Sequence, residues 1–359
     1  MKILALPKYG RLGASSRMRT FQYIPWLRDA GLEVSVSSFF SDDSLQRRYR
    51  DGRYGLWTLL YAYLNRVKIL INIQKFDLVW IEKEALPWFP AFLERFLLKK
   101  VPYVLDYDDA IFHAYDMHRS VLLRTLFHSR LDKLMRSAAL VVAGNNYLAQ
   151  RAVASGAEQV EVIPTVIDLF RYELRSEEGL RSADGLPRIV WIGSPSSAKY
   201  IDQLREPLKR LAMDVDFKLR IIGGGEIEIA GVDVETVDWS EKTEVHYISE
   251  CDIGVMPLSD SPWEQGKCGY KLIQYMASCL PVIASNVGVN SELVLHGENG
   301  FLVTTAGEWE EHLRSLLLDE SRRIRMGQLG RGQVASFYSL QVTGPRLAEL
   351  LRELQVRTA

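Results

Sequence analysis

Short, nearly uninterrupted runs of Val, Ile and Leu alternate with longer stretches of helical periodicity, and the alternation occurs twice over in this chain of 359 residues. The first series of runs lies at 2–6, 34–38, 78–81, 103–105, 140–143 and 160–163, with helical periodicity at 17–30 and 122–138 among the intervening stretches. A second series follows at 189–192, 219–222, 253–256, 282–284 and 301–303. Strands that are apolar throughout have both faces covered, the condition of a parallel sheet with helices above and below. The expectation is an α/β protein of two Rossmann-like β/α/β domains, one sheet in each half. Between Pro164 and Pro187 the residues Arg171, Arg175, Glu177, Glu178 and Asp184-Gly185 follow no apolar period. The expected division is a first domain over 1–165, a linker over 166–187, a second domain over 188–335 and a helical tail over 336–359. Apolar residues spaced for one face run through 332–354.

Charge narrows the range of partners. The net charge of -1 leaves no global field for nucleic acid. It is unevenly divided, however, because residues 1–165 hold 23 Lys and Arg against 16 Asp and Glu, a net of +7, and the remainder carries -8. Cys251, Cys268 and Cys279 form neither a disulfide framework nor a zinc spacing, and no metal site is expected. Residues 54–73 are strongly apolar but contain Arg66 and Lys68, and two central charges cost about 5–7 kcal/mol on insertion scales, which disfavours a membrane span. Arg47, Arg48, Arg50 and Arg53 precede this stretch. A basic lead-in to a helix bearing Trp and Tyr suits the surface of an anionic bilayer, and a core-facing helix with solvated arginines fits the same residues. Met1-Lys2 runs into 3–6 and breaks at Pro7, too short for a signal-peptide core. The expected location is cytoplasmic, with peripheral contact at the inner face of the cell membrane under the first of those two readings.

Several loops carry the residues that chemistry requires. Run 2–6 leads into Tyr9-Gly10-Arg11-Leu12-Gly13-Ala14-Ser15-Ser16-Arg17, where Gly13 admits a close backbone approach and Ser16 and Arg17 add donors for an anion. A serine-capped turn produces the same pattern. In the second half, Gly193-Ser194 and Gly223-Gly224 end two runs, with Lys199 and Trp239 a few residues on. Sheets of this kind bind ligands at that edge. In 263–277, Lys267, Cys268, Gly269 and Lys271 stand where a helix begins, an arrangement that fits a diphosphate and is matched by two merely solvated lysines. Asp106, Asp108 and Asp109 end run 103–105, close enough in sequence for mutual repulsion to raise one pKa. Glu82 and Glu84 end the preceding run and are second candidates, and solvated loop carboxylates account for both groups equally well.

From Cys251 to Gly300 the sequence resembles family 4 of the glycosyltransferases, the group 1 glycosyltransferases. The likeness rests on Asp252-Ile253, Pro257, a loop, the block from Lys271 through Gln274-Tyr-Met-Ala277 to Leu280-Pro-Val-Ile-Ala-Ser285, and Gly297-Glu-Asn-Gly-Phe-Leu-Val303. Ile163-Pro164-Thr-Val-Ile-Asp168 is similar to the family's domain-crossing segment. The resemblance implies the GT-B fold, two Rossmann-like domains facing a central cleft, with the acceptor on the N-terminal domain and the nucleotide sugar on the C-terminal one. The chain departs from the family at the Glu-x7-Glu motif, whose register falls on Gly266 and Gln274. Gln274 retains hydrogen bonds for ribose hydroxyls, and Glu264 or the amides of Lys267 to Gly269 would stand in for the first glutamate. The family's Arg/Lys pair on the donor diphosphate falls on Ser194 and Lys199, and its His-Asp pair on Asp108 and Asp109, the catalytic candidates.

The resemblance thus implies a retaining, metal-independent transferase without a cofactor. It would move a sugar from a nucleotide diphosphate sugar to a saccharide or lipid-linked acceptor, in surface polysaccharide or glycoconjugate biosynthesis. A non-catalytic nucleotide- or sugar-binding protein and a nucleotide-sugar epimerase of the same fold are the rivals. A nicotinamide dehydrogenase is disfavoured because GxGxxG is absent.

Overall fold

The computed structural model describes residues 1–172 and 185–358; Arg175, Glu177, Glu178 and Asp184 of the expected linker lie outside the described residues. Contacts divide the chain into two units. The first comprises Met1–Thr165, Gln265–Cys268 and Leu340–Ala359, and the second Val166–Glu264 and Gly269–Ser339.

The first unit is a six-stranded parallel sheet of β1 (Lys2–Leu6), β2 (Glu33–Val36), β3 (Leu78–Glu82), β4 (Tyr103–Tyr107), β5 (Leu140–Ala143) and β6 (Val160–Val162). Their spatial order is β2-β1-β3-β4-β5-β6, so the winding reverses between β1 and β3. β3, β4 and β5 are buried at every position, Glu82 and Asp106 near the ends of the first two included. The second unit repeats the plan with β7 (Arg188–Ile192), β8 (Lys218–Ile222), β9 (Asp233–Val237), β10 (Ile253–Met256), β11 (Val282–Ser285) and β12 (Gly300–Val303). Its order is β12-β11-β10-β7-β8-β9, all parallel, with the reversal between β7 and β10. Two parallel sheets with flanking helices bear out the expected α/β class and its two Rossmann-like parts.

β9 was not expected from the sequence. It is an edge strand in which Asp233, Glu235 and Thr236 separate Val234 and Val237, so it never presents an apolar run. The helices also break where continuous periodicity was expected. Stretch 17–30 divides into a π-helical turn, Arg17–Phe21, and a helix, Ile24–Asp29, where Pro25 supplies no backbone donor. Stretch 122–138 becomes Val121–Phe127 and Arg130–Arg136, and 332–354 is shared by Glu320–Phe337 and Leu340–Thr358. Helix Leu340–Thr358 packs on Ile24–Asp29 within the first unit, with Tyr23 and Thr343 hydroxyls 2.9 Å apart.

A buried charge network fixes the segment after β3. Arg130 pairs with Glu84 and, at 2.5 Å, with Glu94, and it donates to the carbonyls of Leu86 (2.6 Å) and Phe89 (2.5 Å). Tyr115 Oη donates to Glu84 at 2.7 Å, and Ala85 N donates to Glu94 at 2.7 Å. Glu84 therefore belongs to this scaffold and not to the sheet edge, where it was a second candidate. Replacing Arg130 by Leu leaves two buried carboxylates without a cation and should destabilise the protein by about 3–5 kcal/mol. Urea unfolding measures this, and a loss below about 1 kcal/mol removes the assigned role.

Candidate functional sites at the two sheet edges

Open parallel sheets bind ligands beyond the carboxyl ends of their strands, where the winding reverses. In the first unit that point lies between β1 and β3, and the loop after β1 meets the ends of β3 and β4 there. Ser16 is fully buried; its Oγ donates to Glu82 Oε2 at 2.5 Å and accepts from Tyr9 N at 2.9 Å. Lys8 N also donates to Glu82, at 3.0 Å. Gly13 packs on Tyr9, and Arg17, buried, donates to the carbonyl of Arg11 at 3.3 Å. These three candidates bind one another's surroundings and build the loop itself.

Lys83, which the sequence reading passed over, organises the carboxylates. Its Nζ lies 3.0 Å from Asp108 Oδ1 and 2.9 Å from Asp109 Oδ2, and 3.3 Å from Ser15 Oγ. Its backbone is left-handed, φ 64°, a conformation that costs a lysine about 1–2 kcal/mol and that aims the ammonium at both carboxylates. Burial alone would raise the Asp108 carboxyl, but the Lys83 charge, a Ser15 hydrogen bond and Arg19 hold it below the ordinary value. Asp108 is therefore not the carboxylate that repulsion raises. Glu82 is the group pushed up, to about 7, by burial first and by the Asp108 charge as a smaller contribution. Asp106 is also raised by burial, against the opposing charge of Arg19 at 2.7 Å. Trp80 Nε1 donates to its other oxygen at 3.3 Å.

The segment Gln265–Cys268 falls with this unit. Cys268 Sγ donates to the Asp108 carbonyl at 3.1 Å, and Asn145 Nδ2 donates to the Lys267 carbonyl at 2.9 Å. Burial, aided by Asp108, pushes the Cys268 thiol up to about 12, so it stays protonated. A Cβ at Gly266 would lie 2.4 Å from Ala110 Cβ and 2.7 Å from its nitrogen, so the close approach admits no side chain.

In the second unit, β7 and β8 end side by side. Gly223, φ +73°, would press a Cβ to 2.8 Å from the Gly193 carbonyl and from Trp239 Cβ, which accounts for glycine there. Gly224 packs on Ile221, and Ser194 is exposed beside Ser196, their hydroxyls 2.9 Å apart. Trp239 Nε1 donates to Glu244 at 2.7 Å. Lys199 is exposed, its ammonium 5.0 Å above the Tyr200 ring, whereas Lys271 is half-buried at 4.3 Å over the Trp191 ring. Gly269, left-handed at φ 63°, opens the helix Tyr270–Ala277 that carries Lys271 and Gln274. Gln274 is buried, its Nε2 donating to Tyr172 Oη at 3.2 Å. Glu264 is buried and accepts from the hydroxyls of Tyr200 and Ser261, so it serves the protein's own hydrogen bonds where the sequence suggested a stand-in for the family's first glutamate. Among the described residues no three His, Cys, Asp or Glu side chains converge to hold a metal ion.

The pKa of Glu82 makes stability depend on pH. A carboxyl raised from 4.5 to about 7 on folding favours the folded state fully below pH 4.5, and the contribution disappears as pH rises through about 7. Between those limits the wild type should lose about 2–3 kcal/mol relative to Glu82→Gln. Urea midpoints of both proteins at pH 4.5 and 8 measure the difference, and a gap that stays constant with pH contradicts the raised value.

Comparison with known proteins places this geometry. Residues 186–319 match the family described as Glycosyl transferases group 1. Spore coat protein SA of Bacillus subtilis (strain 168) is 24% identical over 89% of this chain and 88% of that protein. The alpha-1,3/1,6-mannosyltransferase ALG2 of Rhizomucor pusillus is 33% identical over 25% of this chain and 20% of its own length. Among solved structures, sucrose-phosphate synthase from Thermosynechococcus elongatus has a TM-score of 0.74 at 16% identity, covering 99% of this chain and all 100% of that one. Anabaena HepE in complex with UDP-glucose has a TM-score of 0.71 at 17% identity, covering 98% of this chain and 100% of that one. The chain has the GT-B fold, and its second unit is related to the group 1 glycosyltransferases.

Proposed function

We propose that this protein transfers a sugar, with retention at the anomeric carbon, from a nucleotide diphosphate sugar to a saccharide or lipid-linked acceptor. The observation that carries the reading is the match of 186–319 to the group 1 glycosyltransferases, a segment that supplies β7 to β12 and both glycine-bounded strand ends of the second sheet. The similarity to HepE, which was solved with UDP-glucose, supports a nucleotide sugar as donor.

Charge develops on the leaving diphosphate as the glycosidic bond breaks. In this reading Lys199 and Lys271 stabilise it electrostatically, and no metal is required. The leaving phosphate oxygen takes the acceptor proton, so no side-chain nucleophile is needed. On the first unit Asp109 and Asp108, both paired with Lys83, orient an acceptor hydroxyl. Those aspartates meet a cation already, which supports positioning over metal binding as their role.

One observation favours a second reading, binding without transfer. The two positions where the resemblance expects glutamates are Gly266, which has no room for a side chain, and Gln274, whose amide is engaged by Tyr172. Incubation with nucleotide diphosphate sugars and candidate acceptors separates the two. Transfer releases free nucleoside diphosphate in proportion to acceptor, whereas a binding protein shows a thermal shift and releases none.

The donor assignment predicts that Lys199→Ala and Lys271→Ala each weaken binding of a nucleoside diphosphate about tenfold, ~1.4 kcal/mol, and leave binding of the nucleoside nearly unchanged. Titration calorimetry reads both, and equal losses for the two ligands contradict it. For the acceptor side, Asp108→Ala should lower turnover at least tenfold while donor affinity stays within about threefold, ~0.7 kcal/mol. Unchanged turnover makes Asp108 a structural partner of Lys83 only.

A further inference from the structure

One helix of the first unit is apolar on two opposite faces. Along Leu56–Ile71, Ala62, Arg66 and Leu70 turn inward and are buried. Leu56, Trp57, Leu60, Tyr61, Leu64 and Ile71 are exposed, each between 48% and 83%. At about 100° per residue these six fall within an arc of about 140° on the side away from the core, with exposed Lys68 near one margin of it. Arg66, one of the two charges that disfavour a span, lies in the core and donates to the carbonyls of Pro7 (3.3 Å) and Ser37 (3.1 Å), so it does not interrupt the outer face. Two neighbouring helices extend that face. Ala91–Leu98 leaves Phe92 and Phe96 exposed, and Val121–Phe127 buries no residue and exposes Val121, Leu122 and Leu126. The connecting segment joins all three: Phe89 stacks on Tyr63 at 5.1 Å, and Trp88 meets Phe127 at 6.1 Å.

The exposed charges around these helices are predominantly positive. Between residues 54 and 130 the exposed charged side chains are Lys68, Lys75, Arg95, Lys99, Lys100, Arg119 and Arg124, against a single acid, Asp77. Glu82, Glu84, Glu94 and Asp106 in the same stretch are buried. Arg47 and Arg53 stand exposed before the Leu56–Ile71 helix, Arg50 pairs with Asp51 at 3.0 Å, and Arg48 is drawn to Tyr9 and the Tyr54 ring. An exposed apolar face this wide marks an interaction site, and protein interfaces are depleted in the lysines that border this one.

We propose that these three helices dock on an anionic lipid bilayer, with Leu56–Ile71 lying in the headgroup plane and its apolar face toward the acyl chains. Trp57 and Tyr61 occupy the polar–apolar boundary and the lysines and arginines meet lipid phosphates. No helix among the described residues is long and apolar enough to cross a membrane, so the contact is peripheral. It holds whether or not the protein transfers a sugar.

The full chain is tested by flotation with vesicles of phosphatidylcholine alone and of phosphatidylcholine with phosphatidylglycerol. Binding to the anionic vesicles should exceed binding to the neutral ones at least tenfold at low salt and weaken toward ~0.5 M, where the Debye length is a few ångströms. Two variants, Trp57→Glu with Leu64→Glu and Lys99→Gln with Lys100→Gln and Arg124→Gln, should each lose about tenfold in vesicle binding while the melting temperature and nucleotide binding stay as in the wild type. Absence of flotation at low salt, or undiminished flotation of both variants, overturns the proposal. So does a dimer in light scattering that Trp57→Glu with Leu64→Glu dissociates, since the face would then be covered by a second copy.

Discussion

The ion pair between Arg19 and Asp106 decides the layout of the first sheet's functional edge. Both side chains are buried, and a charge removed from water is tolerable only when its partners are complete. Arg19 meets that condition by donating to Asp106 at 2.7 Å and to the Ile163 carbonyl at 2.8 Å, while Trp80 takes the other Asp106 oxygen. The turn after β1 is thereby tied to β3, β4 and the exit of β6. With Asp106 neutralised by Arg19, Lys83 is left to Asp108 and Asp109. Among the described residues Glu82 has no cation at hydrogen-bond distance and is served by Ser16 and Lys8 N, so burial raises its pKa against only the more distant charge of Lys83. The order of the carboxylates along the edge follows from which cation each one reaches.

Legibility tracks burial. β1, β5 and β10 coincide with their apolar runs because strands covered on both faces cannot carry polar residues without cost. β9, with one edge open, admits Asp233 and Glu235 and so leaves no such trace. The helix interruptions escape periodicity for another reason. Arg17 and Arg19 are buried in the turn before Ile24–Asp29, so the polar residues that a period count assigns to solvent point inward. Arg66 follows the same logic within Leu56–Ile71, where the inward face carries a guanidinium whose pKa burial lowers to about 10.

The candidate sites were legible as loops and less so as contacts. Glycines read from the sequence do fall at strand ends, and Gly223 lets the end of β7 and Trp239 approach closely. Lys83 gave no comparable signal, for its role depends on a left-handed backbone and on two aspartates more than 20 residues away. Glu264 and Gln274 have the right chemistry for a sugar, and only packing reveals that Tyr200, Ser261 and Tyr172 already engage them. Gly266 is the clearest case. The sequence reads as a lost glutamate, and the 2.4 Å approach of its Cβ position to Ala110 supplies a steric reason for glycine.

The uneven charge of the chain separates two kinds of attraction. Residues 1–165 carry +7, and the exposed basic residues among them surround an apolar face. A field of that sign acts over a Debye length and draws in any extended anionic surface without needing fixed geometry. The remainder carries -8, which repels a diphosphate at long range. An anion held there must be captured at short range by individual groups, which requires cations placed within hydrogen-bond reach. Lys271, half-buried over the Trp191 ring, is better oriented than exposed Lys199, because an indole face holds an ammonium in place. On the proposed reading the basic half would meet an extended surface and the acidic half a small anion, each over the electrostatic range that its own net charge permits.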